Sequence, residues 1–436
     1  MADYNKELMS FLDKSPTAFH AISSIKKKLV ASGYSELAES EKWELTEGGK
    51  YFVTRNDSSI IAFRVPRFNF TGFMISAAHS DSPAFKVKEN PEIVENGYVK
   101  LNVEGYGGML MAPWLDRPLS VAGRIIVKNG NKYEVRLVNV DRDLLLIPNV
   151  AIHMNRDANK GQTWNAQVDM LPVLGSADEA KGSFMRIIAE SAGVSDSDII
   201  SHDLFLYVRD KGKVWGGSEE YISAPHLDDL QCAYGCLEGF LGANNSSSVP
   251  VLAVFDNEET GSLTKQGADS TLLEDVLKRI SLSCSKDEEG YYRAVSSSFM
   301  VSADNAHALH PNHPEKADPV NRPAINKGIV IKFNAAQHYT TDAVSCAVYR
   351  DLCESNDIPV QVFTNRSDSR GGSTLGNVSN AHVSLNTVDI GLAQLAMHSC
   401  YETAGAKDTK HLIDAMTIFY SKTFRVGAGG SFELLD

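Results

Sequence analysis

The sequence predicts an α/β layer fold interrupted by an inserted β-rich domain. Three features of the chain point there. Strand-like and helix-like patterns alternate after Pro225, β-branched runs with few long helical patterns fill residues 89–224, and clusters of His, Asp and Glu sit at the ends of apolar runs. Open α/β sheets gather ligands outside the carboxyl ends of their strands, so the third feature also says where to look for chemistry.

Taken in order, the amino-terminal residues mix acids and bases in a first helical stretch and offer no apolar h-region. Neither a secretory nor a transit signal is expected, and the address implied is cytoplasmic. Ser15-Pro16 reads as a helix start, a hydroxyl ahead of a proline in the first turn, and Phe19, Ile22, Ile25 and Leu29 recur at helical spacing up to Gly33. Residues 51–54 and 60–65 read as strands joined by Asn56-Asp57, and the apolar run 73–78 reads as a strand that ends on His79. Within 89–224, the runs 124–128 and 133–138 flank Asn129-Gly130 as a hairpin. Residues 1–88 and 225–436 are expected to make the other domain. There the patterning predicts a helix near 229–241, strands at 249–255, 299–303 and 328–333, and helices near 271–280 and 341–353. Residues 244–248 read as a surface loop.

Composition narrows the possibilities. The 436 residues are 43% apolar and 22% charged, as in ordinary globular proteins, and the apolar runs fall short of the roughly 20 residues a membrane span needs. A net charge of −13 repels phosphate backbones and anionic lipid, so neither nucleic acid nor membrane is expected as a partner. The six cysteines include no C-x-x-C pair, which argues for reduced, buried thiols over a disulfide framework or a thiolate zinc knot.

Five segments place acids and imidazoles together: AAHSDSP, APHLDDL, FDNEETGS, SADNAHALHPN and AMHS. Polar residues that follow Ile75, Val254 and Val301 are expected to converge on one crevice. His79 and Asp81 stand two apart, close enough for the carboxylate to take the second imidazole N–H and fix the tautomer of a metal-bound histidine; the alternative is a polar turn that ends the strand. Glu258 and Glu259 are adjacent carboxylates that repel unless a cation lies beside them, so one can bind metal while the other acts as a base; the alternative is a solvated acidic turn. Asp228 opens a helix and could equally be its N-cap. Asp304 follows a strand, with His307, His310 and His313 at spacings that mimic a metal motif. His398 follows the apolar run 390–397, where a lone histidine is commonly a satisfied core or interface residue.

In sequence order, AHSDSP at 78–83, APHLDDL at 224–230, DNEETGS at 256–262, SADNAHALHPN at 302–312, DSRGGSTLG at 368–376 and LAMHS at 395–399 resemble the M18 metallopeptidases, the aspartyl aminopeptidase family, along essentially the whole chain. The resemblance implies a zinc-aminopeptidase-like α/β/α catalytic domain (1–88 and 225–436) with an inserted β-rich dimerisation or lid domain (89–224). It also implies two zinc ions per subunit, for which cobalt or manganese can substitute at such ligands. Asp228 would bridge them, His79 and Asp304 would complete one site, and Glu259 and His398 the other. Asp81 would orient His79, and Glu258 would be the general base. Lys332 and Tyr339 match positions around an acidic substrate side chain, although in the run IVIKFN a lysine alternating with apolar neighbours also reads as an exposed strand residue. His307 lies beside Asp304 in the same pocket, and His153 matches a histidine that reaches a neighbouring subunit's site within a tetrahedral dodecamer built from dimers. The activity implied is removal of single residues, preferentially Asp or Glu, from peptides with a free amino terminus. The alternatives are a broad or leucine-type aminopeptidase or a deacylase of the same two-metal clan, and a non-catalytic shell or binding protein that keeps the fold. His226, Asp229 and Thr260 depart from the arginine, asparagine and valine frequent at their positions, and residues 368–372 look like the bacterial form of their loop.

Overall fold

The computed structural model describes residues 4–369 and 371–436, so Arg370 of the DSRGG loop lies outside the described residues. At its centre is a nine-stranded sheet. Strands Val249–Phe255, Phe73–His79, Phe299–Ala303 and Asn386–Gly391 lie side by side and parallel, so their carboxyl ends share one edge. The hairpin Lys50–Arg55 and Ser59–Arg64 extends the sheet antiparallel on one side, turned by Asn56 and Asp57, both at positive φ as a tight two-strand turn requires. Ile329–Phe333 and Val360–Thr364 extend it on the other side.

Every residue of Phe73–His79 and Val249–Phe255 is buried, because helices cover both faces. On one face Leu8, Ile22, Leu230, Tyr349 and Leu412 bring the helices Tyr4–Asp13, Ala18–Ala31, Leu227–Gly242, Ala343–Glu354 and Asp408–Ser421 into a single core. On the other face Leu272, Tyr291 and Leu375 bring in Leu272–Ser283, Glu288–Ser296 and Leu375–Ser379. The result is an α/β/α sandwich, as the alternation of patterns indicates.

A six-stranded antiparallel sheet occupies residues 84–208, with the helix Phe184–Ala192 packed on a separate core that includes Phe85, Trp114 and Leu204. It begins at Ala84, ahead of residue 89, and the strand Tyr221–Ala224 pairs instead with Glu402–Gly405 in a smaller five-stranded sheet.

Several local expectations need correction. The second helix starts at Ala18 with Thr17 as its N-cap, so Ser15-Pro16 precedes the first turn without opening it. In the hairpin of the six-stranded sheet Asn129 pairs with Lys132, which moves the turn to Gly130-Asn131, and Gly130 supplies the positive φ. The 244–248 loop is only partly at the surface: Asn245 is buried, donates to the Tyr420 and Lys422 carbonyls, and accepts from the Ser247 and Ser248 N–H groups. All six cysteines are free and buried. Among the described residues, no helix is long and apolar enough to cross a membrane.

Candidate metal centre

Three neighbouring parallel strands deliver most of the site. His79 is the last residue of Phe73–His79, the 3-10 turn Glu258–Thr260 follows Val249–Phe255, and Asp304 follows Phe299–Ala303. Asp228 enters from the start of Leu227–Gly242, and His398 from the segment after Ala393–Leu395. The convergence inferred from the ends of apolar runs is therefore present in space.

Asp228 stands between two imidazoles. Its Oδ1 lies 3.5 Å from His79 Nε2 and its Oδ2 lies 3.7 Å from His398 Nε2, while Glu259 Oε2 is 3.3 Å from that same His398 nitrogen. Three sets of side chains bring ligand-capable atoms within 4.8 Å of one another: His79, Asp228, Asp229 and Asp304; His79, Glu258 and Glu259; and Asp228, Glu259 and His398. The N-cap alternative for Asp228 fails. His226 holds the cap position at φ 60°, Asp228 itself has non-helical φ/ψ, and its backbone N–H donates to Glu402 Oε2 at 2.9 Å.

The tautomers follow from the partners. His79 Nδ1 lies 3.1 Å from the Asp81 carbonyl oxygen, with Asp81 Oδ1 at 3.4 Å, and His398 Nδ1 meets the Gly108 carbonyl. A carbonyl only accepts, so each Nδ1 carries a proton and each ring turns its Nε2 toward the carboxylates. That is how proteins present histidine to metal. The polar-turn alternative for Asp81 is likewise too small a role: its Oδ1 accepts the Glu258 N–H and its Oδ2 accepts the Glu259 N–H, both at 3.2 Å.

The electrostatics call for a cation. Burial, followed by the nearby Asp304, Asp81 and Asp228 carboxylates, pushes Glu258 up to about 8 against the pull of His79. Burial and Asp228 hold Glu259 well above the carboxylate range, and burial does the same for Asp229. The Oδ1 atoms of Asp228 and Asp229 are buried with no hydrogen-bond donor. Buried oxygens without donors, clustered with two imidazole Nε2 atoms, suit a divalent cation of the zinc type, whose charge reverses the upward shifts of the carboxylates.

Lys332 is 3% exposed, which overturns its reading as an exposed strand residue; its ammonium lies 3.3 Å from Asp304 Oδ2 and 5.4 Å from the centre of the Tyr339 ring. Tyr339 and His307 both pack edge-on against Phe363. His307 lines a cleft of about 290 Å³, with Phe363, Arg366 and Met397. His310 and His313 are exposed on that cleft, outside the three ligand-capable sets. His153 is also exposed, on the connection between Lys132–Asn139 and Val173–Ser176, and within one chain it joins none of those sets. A larger cavity of about 440 Å³ lies behind the site, where Asp81 and Tyr106 form part of its wall.

Sequence reasoning missed three groups. Glu402 is 2% exposed, and its carboxylate accepts the Asp228 N–H and, at 2.8 Å, the His398 N–H. The only available signal was an acid four residues after His398. Tyr106 donates to Asp81 Oδ2 at 2.7 Å, and Gly108 acts through its backbone; neither leaves a local signature.

A family model described as Aminopeptidase I zinc metalloprotease (M18) matches residues 11–420. The chain is 48% identical over 427 residues to a probable M18 family aminopeptidase 2 of Clostridium acetobutylicum, covering 96% of this chain and 99% of the relative. It is 40% identical over 429 residues to the corresponding Pseudomonas aeruginosa protein, covering 97% and 99%. Among solved structures, a chain of the Ape4 and Nbr1 complex superposes with a TM-score of 0.92 at 33% identity, over 95% of this chain and 85% of that one. The S. cerevisiae mApe1 dodecamer superposes with a TM-score of 0.84 at 28% identity, over 96% of both chains. With near-complete coverage on both sides, the chain belongs to the M18 family of zinc aminopeptidases.

Proposed function

We propose that the chain removes the amino-terminal residue, preferentially Asp or Glu, from peptides, with two zinc ions per subunit and Glu258 as general base. The observation that carries this reading is Asp228, whose two oxygens face imidazoles on opposite sides. In it His79, Asp304 and Asp228 would hold one ion, and Glu259, His398 and Asp228 would hold the second. Cobalt or manganese can replace zinc at such ligands. A cation pair of this kind supplies an acidified water, a polarised carbonyl and an anchor for the free amine.

The remaining roles fall to the chain's own groups. Glu258 takes the proton of the attacking water and returns it to the leaving amine, a role suited to a carboxylate beside the ligand cluster. Asp81 fixes the His79 ring through Nδ1. Lys332 and Tyr339 receive the acidic side chain of the substrate, and His307 lines the cleft beside them. The inserted domain, 89–224, acts as a dimerisation and lid element, and His153 reaches the site of a neighbouring subunit. By likeness to the dodecameric mApe1, the assembly is a homododecamer of dimers.

A second reading, a neutral-residue preference, is favoured by the ion pair of Lys332 with Asp304, which already gives the ammonium a carboxylate. One experiment decides between them: peptides varied at the first residue, free and acetylated, with and without chelator. Chelator-sensitive release of Asp and Glu from free peptides alone is the expected result. Cleavage of acetylated peptides or indifference to chelator removes the aminopeptidase mechanism, and faster release of Leu installs the second reading.

A further inference from the structure

The six-stranded sheet reaches the ligand cluster through the end of its strand Tyr98–Tyr106 and the four residues that follow. Tyr106 donates its hydroxyl to Asp81 Oδ2 at 2.7 Å and accepts from the Asn257 amide at 2.8 Å, with its ring edge-on to Phe205. Gly107 takes φ 72°, and a Cβ there would come within 3.0 Å of the Glu259 Cβ, so the segment runs directly over that carboxylate. The Gly108 carbonyl then meets His398 Nδ1, and the Leu110 N–H donates to the His398 carbonyl at 3.0 Å.

Within five residues the chain therefore reaches both imidazoles, His398 directly and His79 through Asp81. We propose that residues 106–110 form a strap by which the inserted sheet orients both metal-binding histidines, with Tyr106 as a positioning residue acting through Asp81. Asp81 has four partners to satisfy: the His79 ring, the Glu258 and Glu259 N–H groups, and the Tyr106 hydroxyl. Tyr106 is the shortest of these contacts and the only one supplied by the other sheet. Without it, one carboxylate oxygen keeps a single donor, and the plane that sets the imidazole loosens. Partners of metal-bound histidines commonly change metal affinity or activity by about 10–100-fold when removed.

This proposal rests on the two-metal reading above, and the test separates the two. Zinc affinity by competition with a chromophoric chelator, the visible spectrum of the cobalt-loaded protein, and kcat and KM on an Asp-peptide are measured for the full chain, Tyr106→Phe, Asp81→Asn and the double variant. Phenylalanine keeps the ring on Phe205 and removes only the donor. The expected result is zinc binding weakened about 10–100-fold, an altered cobalt spectrum and a lower kcat at nearly constant KM. Tyr106→Phe should then cost nothing more in the Asp81→Asn background, because groups acting in series are not additive. Wild-type zinc affinity and turnover in Tyr106→Phe, or additive losses in the double variant, overturn the strap. Should Tyr106→Phe fail to fold, Gly107→Ala tests the same segment, and unaltered zinc affinity there overturns it equally. A wild-type chain that neither binds zinc nor cleaves the peptide refutes the two-metal reading instead.

Discussion

At the scale of single residues, the site is a problem of crowded charge, and its predictions follow from which charge is removed. Glu258 lies within ligand distance of His79 and Glu259, yet it is dispensable to the two groupings that contain Asp228. Glu258→Gln should keep bound zinc, checked by metal analysis, while kcat falls by at least about 10²–10⁴, the usual contribution of a general base; near-parental turnover would assign the base elsewhere. Lys332→Met removes a cation that faces Asp304, so it leaves a buried carboxylate short of a partner and costs stability whatever the substrate. The informative quantity is therefore a ratio. Division of kcat/KM for an Asp-peptide by that for a Leu-peptide cancels the general loss, and the ratio should fall by about tenfold or more if the ammonium recognises the substrate carboxylate. A constant ratio places acidic recognition on another group.

At the scale of elements, the sequence was most readable where a local rule is also the tertiary rule. Asn56-Asp57 can both take positive φ, so the hairpin was legible, and the largely apolar 73–78 and the apolar 249–255 announce strands covered on both faces. His79, Glu258, Glu259 and Asp304 were legible for the same reason: His79 and Asp304 directly follow such runs, and Glu258 and Glu259 stand three and four residues past Phe255. Glu402, Tyr106 and Gly108 were not, because their roles are hydrogen bonds to partners that no local spacing encodes: Tyr106 to Asp81 spans 25 positions, Glu402 to Asp228 spans 174 and Gly108 to His398 spans 290. The 244–248 loop was misread because polar residues suggest solvent, whereas Asn245 uses its amide to satisfy four backbone groups. Asn245→Ala should lower unfolding free energy by roughly 3 kcal/mol in a denaturant titration, since buried backbone groups lose their partners. The helix Ala18–Ala31 offers a pH test. Burial, then Lys27, lowers the His20 imidazole to about 4 from the ordinary 6.5, so between those values the unfolded chain binds the extra proton. Its contribution to stability is complete above pH 6.5 and is lost as pH falls toward 4. His20→Gln should therefore lose less stability than wild type between pH 7.5 and 4.5, and equal losses would remove His20 from the account.

At the scale of the whole molecule, the open question is what the exposed connection around His153 meets. Val150, Ile152, Met154 and Val168 along it are 55%, 48%, 80% and 71% exposed, an apolar cost that an isolated chain has no reason to bear. If His153 completes a neighbour's site, two defects on different subunits should complement each other. Glu258→Gln keeps a donor histidine but no base, and His153→Ala keeps the base but no donor. Dissociated together at equal amounts and reassembled, half of the reciprocal pairs are mixed, and each mixed pair holds one site with both groups intact. Activity should recover to about a quarter of wild type, well above the mean of the two parents. If His153 instead served its own chain, no mixed assembly could contain an additional complete site, and the activity after mixing would remain the parental mean.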